Sequence, residues 1–430
     1  MTKEKKTYLP RLVDKKIEDY LTVFGAVSIE GPKWCGKTWT SLNHSNSSTF
    51  MDDDNNREMA LLDVKSIFYT EQDKKPQLID EWHLVPGVWD AVRRECDKSI
   101  YKGNFILTGS TTLPNNVMRE KVHHSGVGRI GRINMYTMSL YESKDSTGKA
   151  SLTDMLNGVQ ESMNNKEIDI YEIANFIIRG GWPANISVDN EKINIIPKSY
   201  IESILDADMY EESDKRRDKN KMRMLLRSLA RNESSIVGNK TIVKDIEEFE
   251  EGNDLLSSRD TVIEYLDILE RLHLLENQES YSENYRSPKR VGKSPKRHFT
   301  DPSLACACLN LNTDKLIRDL KTFGFMFESL VERDLRIYMD YLGGHLYHFR
   351  DNITGLEIDS ILEFSDGEYA AVEIKLGPNQ IEEATNNLLK FYDNMIKKPK
   401  FMCIIVGKCN SIVKDPKTGI YIIPITALKP

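Results

Sequence analysis

The stretch Gly31–Thr38, GPKWCGKT, satisfies the pattern G-x-x-x-x-G-K-[ST] at every position, and that pattern constrains the fold around it. Two glycines let the backbone turn so that successive N–H groups point inward at phosphate oxygens. A helix opening at the lysine adds the partial positive charge of its N-terminus. The flanks agree with this demand. AVSIE (Ala26–Glu30) is a short apolar run ending at a glycine, and TWTSLNH can open a helix, so strand, loop and helix follow in order. In a loop of this kind Gly31, Pro32, Lys33, Trp34, Cys35 and Gly36 cradle the phosphates of a nucleotide. Lys37 would reach the β and γ phosphates, and Thr38 would bind a magnesium ion.

An acidic strand end strengthens the reading. PQLIDEWH (Pro76–His83) sets Leu78 and Ile79 before Asp80 and Glu81, as a buried parallel strand does where it ends at an active-site edge. Beside a phosphate loop Asp80 would hold the metal, and Glu81 would polarise the attacking water. A third strand, NFILTGS (Asn104–Ser110), would bring Thr108 and Ser110 out beside the γ phosphate, or simply end in a polar cap. HHSGVGRIGRINMYTMSLYE (His123–Glu142) carries Arg129 and Arg132 in a glycine-rich turn before an alternating segment. Either cation could meet transition-state charge, in the same chain or from a neighbouring subunit of a homo-oligomer, and either could be structural.

Length and charge set the remaining bounds. At about 150 residues per domain, 430 residues imply roughly three domains. Hydrophobic residues at 40% and charged ones at 29% fit a globular chain and exclude wholesale disorder. A net charge of −7 gives no global case for nucleic acid, so any such contact must come from local basic patches. Six scattered cysteines without a CxxC pair read as free thiols of a reducing cytosol. No apolar run reaches membrane-spanning or signal-peptide length, so the expectation is a cytoplasmic protein with no membrane contact.

GAVSIEGPKWCGKT, LIDEWHLVPGVWDAVR, FILTGS and HSGVGRI, in this order and spacing, resemble the N-terminal core of a widespread prokaryotic family of AAA-type ATPases that carry a C-terminal domain of unknown function. The resemblance implies ATP and Mg²⁺ at the positions above, with Lys37 and Thr38 in the loop, Asp80 and Glu81 on the acidic strand and Arg129 in the glycine-arginine turn. The chain departs from better-known AAA relatives where the third strand ends in Thr108-Gly109-Ser110 and not in an asparagine.

The middle of the chain reads as helical. Ser143–Lys166 is polar and suits a connection, and IIRGGWPANI (Ile177–Ile186) resembles a segment of the same family. Pro197–Glu211 and Lys219–Arg231 have helical apolar spacing, as does Ser257–Asn277. With TIVKDIEEF before that last helix and strands expected near Leu274–Glu279 and Arg297–Thr300, the order is that of a winged helix, which often binds duplex DNA and often only packs. The outer face of the helix mixes Asp260, Glu264, Asp267 and Glu270 with Arg259 and Arg271, a poor match to a phosphate backbone. KRVGKSPKR (Lys289–Arg297) is the strongest basic patch, open to nucleic-acid phosphate, ATP phosphate or plain solvent.

From Gly324 the expected order is helix, three strands, helix, strand. If Ser365-Asp366-Gly367 is a three-residue loop with Gly367 left-handed, Phe364 faces Glu368 and Asp359 lies opposite Glu373, with Lys375 on the same face. Carboxylates and a lysine amid apolar strands are costly unless paired or holding a metal. A plain Asp–Lys ion pair would satisfy them. The pattern also resembles the PD-(D/E)XK nuclease fold, which implies Mg²⁺ on Asp359 and Glu373, an additional acid at Glu328, Lys375 orienting water or stabilising phosphorane charge, and Gln380 at the next helix start. Ile358-Asp359 replaces the Pro-Asp of that fold's name without removing a ligand.

The expected fold is α/β throughout, with a P-loop parallel-sheet ATPase core over 1–150, a helical and winged-helix-like middle region over 151–314 and a restriction-endonuclease-like α/β domain over 315–430. The expected function is ATP hydrolysis whose nucleotide state controls a nuclease-like, DNA-interacting domain. The rival is a nucleotide-switched DNA- or protein-binding scaffold without nuclease activity.

Overall fold

The computed structural model describes residues 8–109, 125–208, 219–247, 259–284, 286 and 294–430. The chain divides into two compact units, Met1–Thr137 with Ile268–Leu274, and Met138–Asp267 with Leu275–Pro430.

In the first unit five described strands, β1 (Ala26–Glu30), β2 (Ser47–Phe50), β3 (Gln77–Asp80), β4 (Phe105–Gly109) and β5 (Ile130–Asn134), form one all-parallel sheet in the order β2-β3-β4-β1-β5. Helices α1 (Val13–Val23), α2 (Lys37–Asn43), α3 (Asp54–Leu62) and α4 (Gly87–Lys98) belong to the same unit. The inner strands β1, β3 and β4 are buried at nearly every position because both of their faces are covered. Val27, Ile29, Leu78 and Ile106 pack with Ile17 of α1, whereas Ala26, Ile79, Phe105 and Leu107 pack with Trp89 and Val92 of α4. Truncating a fully buried member such as Leu107 to alanine costs about 2–5 kcal/mol. Asp53 caps α3, accepting from the N–H groups of Asn55 and Asn56, and so ends the acidic run after β2. Because β4 lies between β1 and β3, the end of β4 stands between the phosphate loop and the acidic strand end.

The second unit holds a sheet of ten described strands in the order β7-β15-β16-β14-β13-β12-β11-β9-β10-β8. Its early elements are β6 (Ala150–Ser151), α5 (Leu152–Leu156), β7 (Met163–Asn164), α6 (Ile170–Arg179) and α7 (Ile195–Ser203). Next come α8 (Lys219–Arg231), β8 (Ser235–Ile236), α9 (Asn239–Glu247), α10 (Arg259–Arg271), whose residues from Ile268 onward count with the first unit, β9 (Leu275–Ser280) and β10 (Lys296–Phe299). The C-terminal part adds α11 (Pro302–Cys308), α12 (Thr313–Arg318), α13 (Leu320–Tyr341), β11 (His345–Arg350), β12 (Glu357–Glu363), β13 (Tyr369–Lys375), α14 (Ile381–Asn394), β14 (Phe401–Val406), β15 (Ser411–Lys414), β16 (Tyr421–Pro424) and β17 (Leu428–Lys429). β8, β10 and β9 form an antiparallel sheet in that order.

Compactness divides the chain otherwise than the three expected regions. The first break falls at Thr137–Met138 and not near 150, and 151–314 is not a separate compact body from 315–430. Strand pairing is the reason. β9 pairs in parallel with β11 through Tyr347 and Glu279, which makes one sheet of the two segments. Ser143–Lys166 is more than a connection, since β6 pairs with β17 and β7 with β15 at the far end of the chain. Helix α7 gives way after Ser203 to a π-helix that runs to Asp208, and the remainder of the expected Pro197–Glu211 lies outside the described residues. Helix α10 ends at Arg271, with His273 left-handed, where the sequence suggested helix to Asn277. Its expected cap, Ser257, lies outside the described residues.

The segment Arg179-Gly180-Gly181-Trp182 acquires a role here. Met138 N–H donates to Gly181 O at 2.7 Å, the Gly181 N–H donates to Asp301 Oδ2 at 2.9 Å, and Trp182 Nε1 donates to Ser303 Oγ at 2.9 Å. A Cβ on Gly181 would stand 2.1 Å from Met138 O, so only glycine permits the approach. The motif seats Met138, just after the break between the units.

Candidate functional site

The loop takes the backbone path its glycines allow. Gly36 is left-handed at φ 106° and Trp34 at φ 63°, and a Cβ on Gly31 would lie 2.1 Å from Met135 O. Lys37 is buried and its Nζ donates to the carbonyls of Gly31 at 2.9 Å and Pro32 at 2.8 Å, which folds the cation over the loop. Cys35 is buried and Trp34 is exposed. Arg11, invisible to any motif, braces the loop from the N-terminal segment. Its guanidinium donates to Cys35 O at 2.9 Å, Tyr136 O at 2.9 Å and Thr137 O at 3.1 Å. The three carbonyls come from two segments, at Cys35 and at Tyr136-Thr137, both far from Arg11 in the chain, so no local pattern reveals the arginine.

At the sheet edge the residues singled out in the sequence meet. Thr38 Oγ1 lies 3.0 Å from Asp80 Oδ1, and Thr108 Oγ1 donates to the same carboxylate. The Glu81 N–H donates to Thr108 Oγ1 at 3.3 Å, and Glu81 is itself left-handed at φ 54° with its carboxylate 3.3 Å from His83 Nδ1. Burial raises the Asp80 pKa above the usual carboxylate value; the bonds from Thr108 and Thr38 oppose the rise, and the Glu81 charge adds to it. Thr38 and Asp80 offer a hydroxyl and a carboxylate side by side, a donor pair that suits Mg²⁺ when the phosphates of a nucleotide complete its shell. Ser110 lies outside the described residues.

The arginines stand elsewhere. Parallel pairing sets Ala26 beside Ile130, so Arg129 adjoins the start of β1 while the loop follows its end. A five-residue strand separates them, about 16 Å. Arg129 Nε binds Asp97 of α4 at 2.7 Å, which raises its pKa further. Of the alternatives left open for Arg129, action on its own loop draws no support from this geometry, because the strand direction puts the residue at the opposite end of β1 from the loop. Arg132 stacks 5.0 Å from the Trp89 ring and lies 3.9 Å from Glu30.

The hairpin of the second unit follows the expected register. Gly367 is left-handed at φ 79°, the Phe364 N–H donates to Glu368 O at 2.8 Å, and Ser360 pairs with Val372 and Glu363 with Tyr369. Lys375 Nζ lies 3.1 Å from Asp359 Oδ2 and 2.5 Å from Glu373 Oε2, and the Ile374 N–H donates to Asp359 at 2.8 Å. Glu373 is buried, and burial first, then the Asp359 charge, raises its pKa well above the ordinary value. Burial alone would lower Lys375, but the two carboxylates outweigh it and its pKa is raised. One cation thus bridges Asp359 and Glu373, an ion pairing of the kind the sequence also allowed. Gln380 ends the turn before α14, exposed.

Glu328 does not join them, a correction to its expected place as a third ligand. It pairs with Lys296 of β10. Among the described residues no group of three or more His, Cys, Asp or Glu side chains is arranged to hold a metal ion. Lys296 also corrects the basic patch. It is 1% exposed and Arg297 is half-buried, donating to Val237 O at 2.9 Å and Asn239 Oδ1 at 2.8 Å, so neither is a free surface cation. Lys289, Arg290 and Lys293 lie outside the described residues. On α10 the side chains of Glu264, Asp267 and Glu270 are exposed, as the sequence suggested, and those of Arg259 and Asp260 are outside the described set.

All six cysteines are free, and no described helix is long and apolar enough to cross a membrane. Three family models match the chain. Residues 24–144 match an AAA domain, 170–315 a domain of unknown function (DUF8612), and 323–428 a domain of unknown function (DUF4143). No curated protein matches. Among solved structures, the Walker-type ATPase PABY2304 of Pyrococcus abyssi is similar at 14% identity and a TM-score of 0.42, over 71% of this chain and 97% of that one. The ORC2 protein of Aeropyrum pernix, in its ADPNP–ADP complexes, is similar at 12% identity and a TM-score of 0.35, over 75% and 96%. The match over 24–144 makes this part of the chain similar to an AAA domain, in keeping with its parallel sheet and phosphate loop.

Proposed function

We propose that the chain is a Mg²⁺-dependent ATPase acting at Gly31–Thr38. The observation that carries this reading is the meeting of Thr38, Asp80 and Thr108 at the end of three neighbouring parallel strands beside the loop. The loop N–H groups would bind phosphate oxygens, with Lys37 released from the Gly31 and Pro32 carbonyls toward the β and γ phosphates. Thr38 and Asp80 would hold Mg²⁺, whose charge neutralises the phosphate oxygens. Glu81 would orient water, with Thr108 holding the Asp80 carboxylate in place. Any arginine finger from Arg129 would have to come from a neighbouring copy in a homo-oligomer. The test is ATP turnover by the wild type, Lys37→Ala and Glu81→Gln with and without DNA. Turnover that persists in both variants would remove the site.

A second reading concerns the last third of the chain, with nucleotide state controlling it in the cytoplasm. The order α13, β11, β12, β13, α14, β14 and the convergence of Asp359, Glu373 and Lys375 support a PD-(D/E)XK-like, DNA-interacting domain. The order α8, β8, α9, α10, β9, β10 supports a winged helix before it. Here Mg²⁺ would polarise a phosphodiester, Asp359 and Glu373 would hold it, and Lys375 would position water. The scaffold reading draws on a different observation, the buried Lys296 that takes Glu328 out of the ligand set. Mn²⁺-dependent DNA cleavage by wild type against Asp359→Ala separates the two, since DNA binding without cleavage favours the scaffold.

A further inference from the structure

Lys296 is a buried cation with fixed partners. Its ammonium pairs with Glu328 and lies 3.3 Å from Glu332 Oε1, one helical turn further along α13. Glu332 is held in turn by Ser360 Oγ at 3.1 Å and by His298 Nε2. Ser360 follows Asp359 on β12, so this buried network reaches the strand that carries Asp359. The Asp359 charge acts on both Lys296 and Glu328. Through Lys296, Glu332 and Ser360 the network runs from Glu328 to the residue after Asp359, while the Glu328 carboxylate is committed to the Lys296 cation. An ammonium this deeply buried is costly to strip of its partners, so the commitment is firm.

We propose that Lys296 is a positioning residue of the C-terminal site, a built-in cation that holds Glu328 away from Asp359 and Glu373 and leaves that pair as a two-carboxylate site for a divalent ion. The inference rests on the reading of Asp359 and Glu373 as a divalent-cation pair. Affinity of such sites rises with the number of charged oxygen ligands, so removing the lysine frees a third carboxylate to join them. Lys296 comes from the segment matched by one domain of unknown function and Glu328 from the segment matched by the next, so the site is composite across the two.

The experiment is Mn²⁺ binding to the full-length, nucleotide-free chain at neutral pH, read as loss of the free-ion electron paramagnetic resonance signal. Binding attributed to this site is the part removed by Asp359→Ala, which leaves the phosphate loop intact. Lys296→Met is expected to tighten that binding about tenfold, and adding Glu328→Gln is expected to cancel the gain. Because Lys296→Met leaves buried carboxylates short of a cation, Lys296→Met with Glu332→Gln is measured beside it, with a thermal melt to show that each variant is folded. If the wild type binds Mn²⁺ in an Asp359-dependent way and both lysine variants bind it equally well, the role of Lys296 is overturned and the carboxylate pair stands. If no folded variant shows Asp359-dependent binding, the pair and the inference fall together.

Discussion

Thr108 on β4 donates its hydroxyl hydrogen to Asp80 at the end of β3, and the Glu81 N–H donates at 3.3 Å to the same hydroxyl oxygen. A side chain outside the phosphate loop therefore holds the Asp80 carboxylate and opposes the rise that burial gives its pKa. Thr108→Val removes that donor from a carboxylate whose pKa burial already raises. The expected outcome is a loss of about tenfold in ATP turnover, the equivalent of one hydrogen bond to a charged group, with Thr108→Ser close to wild type. Steady-state kinetics at neutral pH decide it, and an unchanged kcat in the valine variant would assign Thr108 to strand capping alone.

Gly31→Ala tests the close approach at the loop entrance. With Met135 O only 2.1 Å from the added Cβ, strand β1 and the residue after β5 would have to separate. We expect a loss of about 3 kcal/mol in stability and loss of nucleotide binding, seen in urea denaturation and in fluorescent-nucleotide titration. Wild-type affinity in the variant would mean that the loop tolerates a shift its packing does not suggest.

Arg129→Ala separates a role in the same chain from one in a neighbouring copy. Turnover at protein concentrations where the chain is monomeric by light scattering should match wild type, because Arg129 sits at the sheet edge away from its own loop and against Asp97. A fall of about 10³ appearing only where the wild type assembles would mark a finger supplied in trans. The same fall in the monomer would contradict the strand geometry.

His298 predicts a pH dependence of the second unit. It is buried, with Glu233 Oε1 3.3 Å from Nδ1, Gln278 Oε1 3.1 Å from Nε2, and Glu332 paired to Nε2, while Lys296 faces Glu332 from the same strand. Burial would lower its pKa, but the two glutamates outweigh burial and raise it. The stabilisation is thus fully present below the unfolded value of about 6.5 and is lost as pH rises through the higher folded value. Burial also opposes the charge on Glu332, yet His298 and Lys296 hold its pKa down at about 2, so its contribution is present above the ordinary carboxylate range and lost as pH falls toward 2. Urea denaturation from pH 6 to 9 should show stability declining with pH in the wild type and a flatter profile, at lower stability, in His298→Gln. Equal slopes would show that His298 is neutral when folded.

The loop, the acidic strand end and the hairpin were legible in the sequence because each is local. A phosphate loop declares itself in eight consecutive residues, Asp80 and Glu81 are marked by ending an apolar run, and the pairing of β12 with β13 follows from one left-handed glycine and the period of two along a strand. Tertiary structure alone decided the rest. Strand order placed Thr108 between Thr38 and Asp80, and strand direction carried Arg129 to the far edge, neither of which a linear spacing contains. Arg11 was hidden because its three carbonyl partners come from distant parts of the chain. Lys296 looked like one charge of a solvated basic run, yet β10 turns it inward, where only partners as distant as Glu328 and Glu332 make a buried ammonium tolerable. The sequence by itself determined which residues could do chemistry, through backbone demands that act over a few positions. Only the packing of strands and helices decided which of them meet, because contact and burial are properties of the assembled fold.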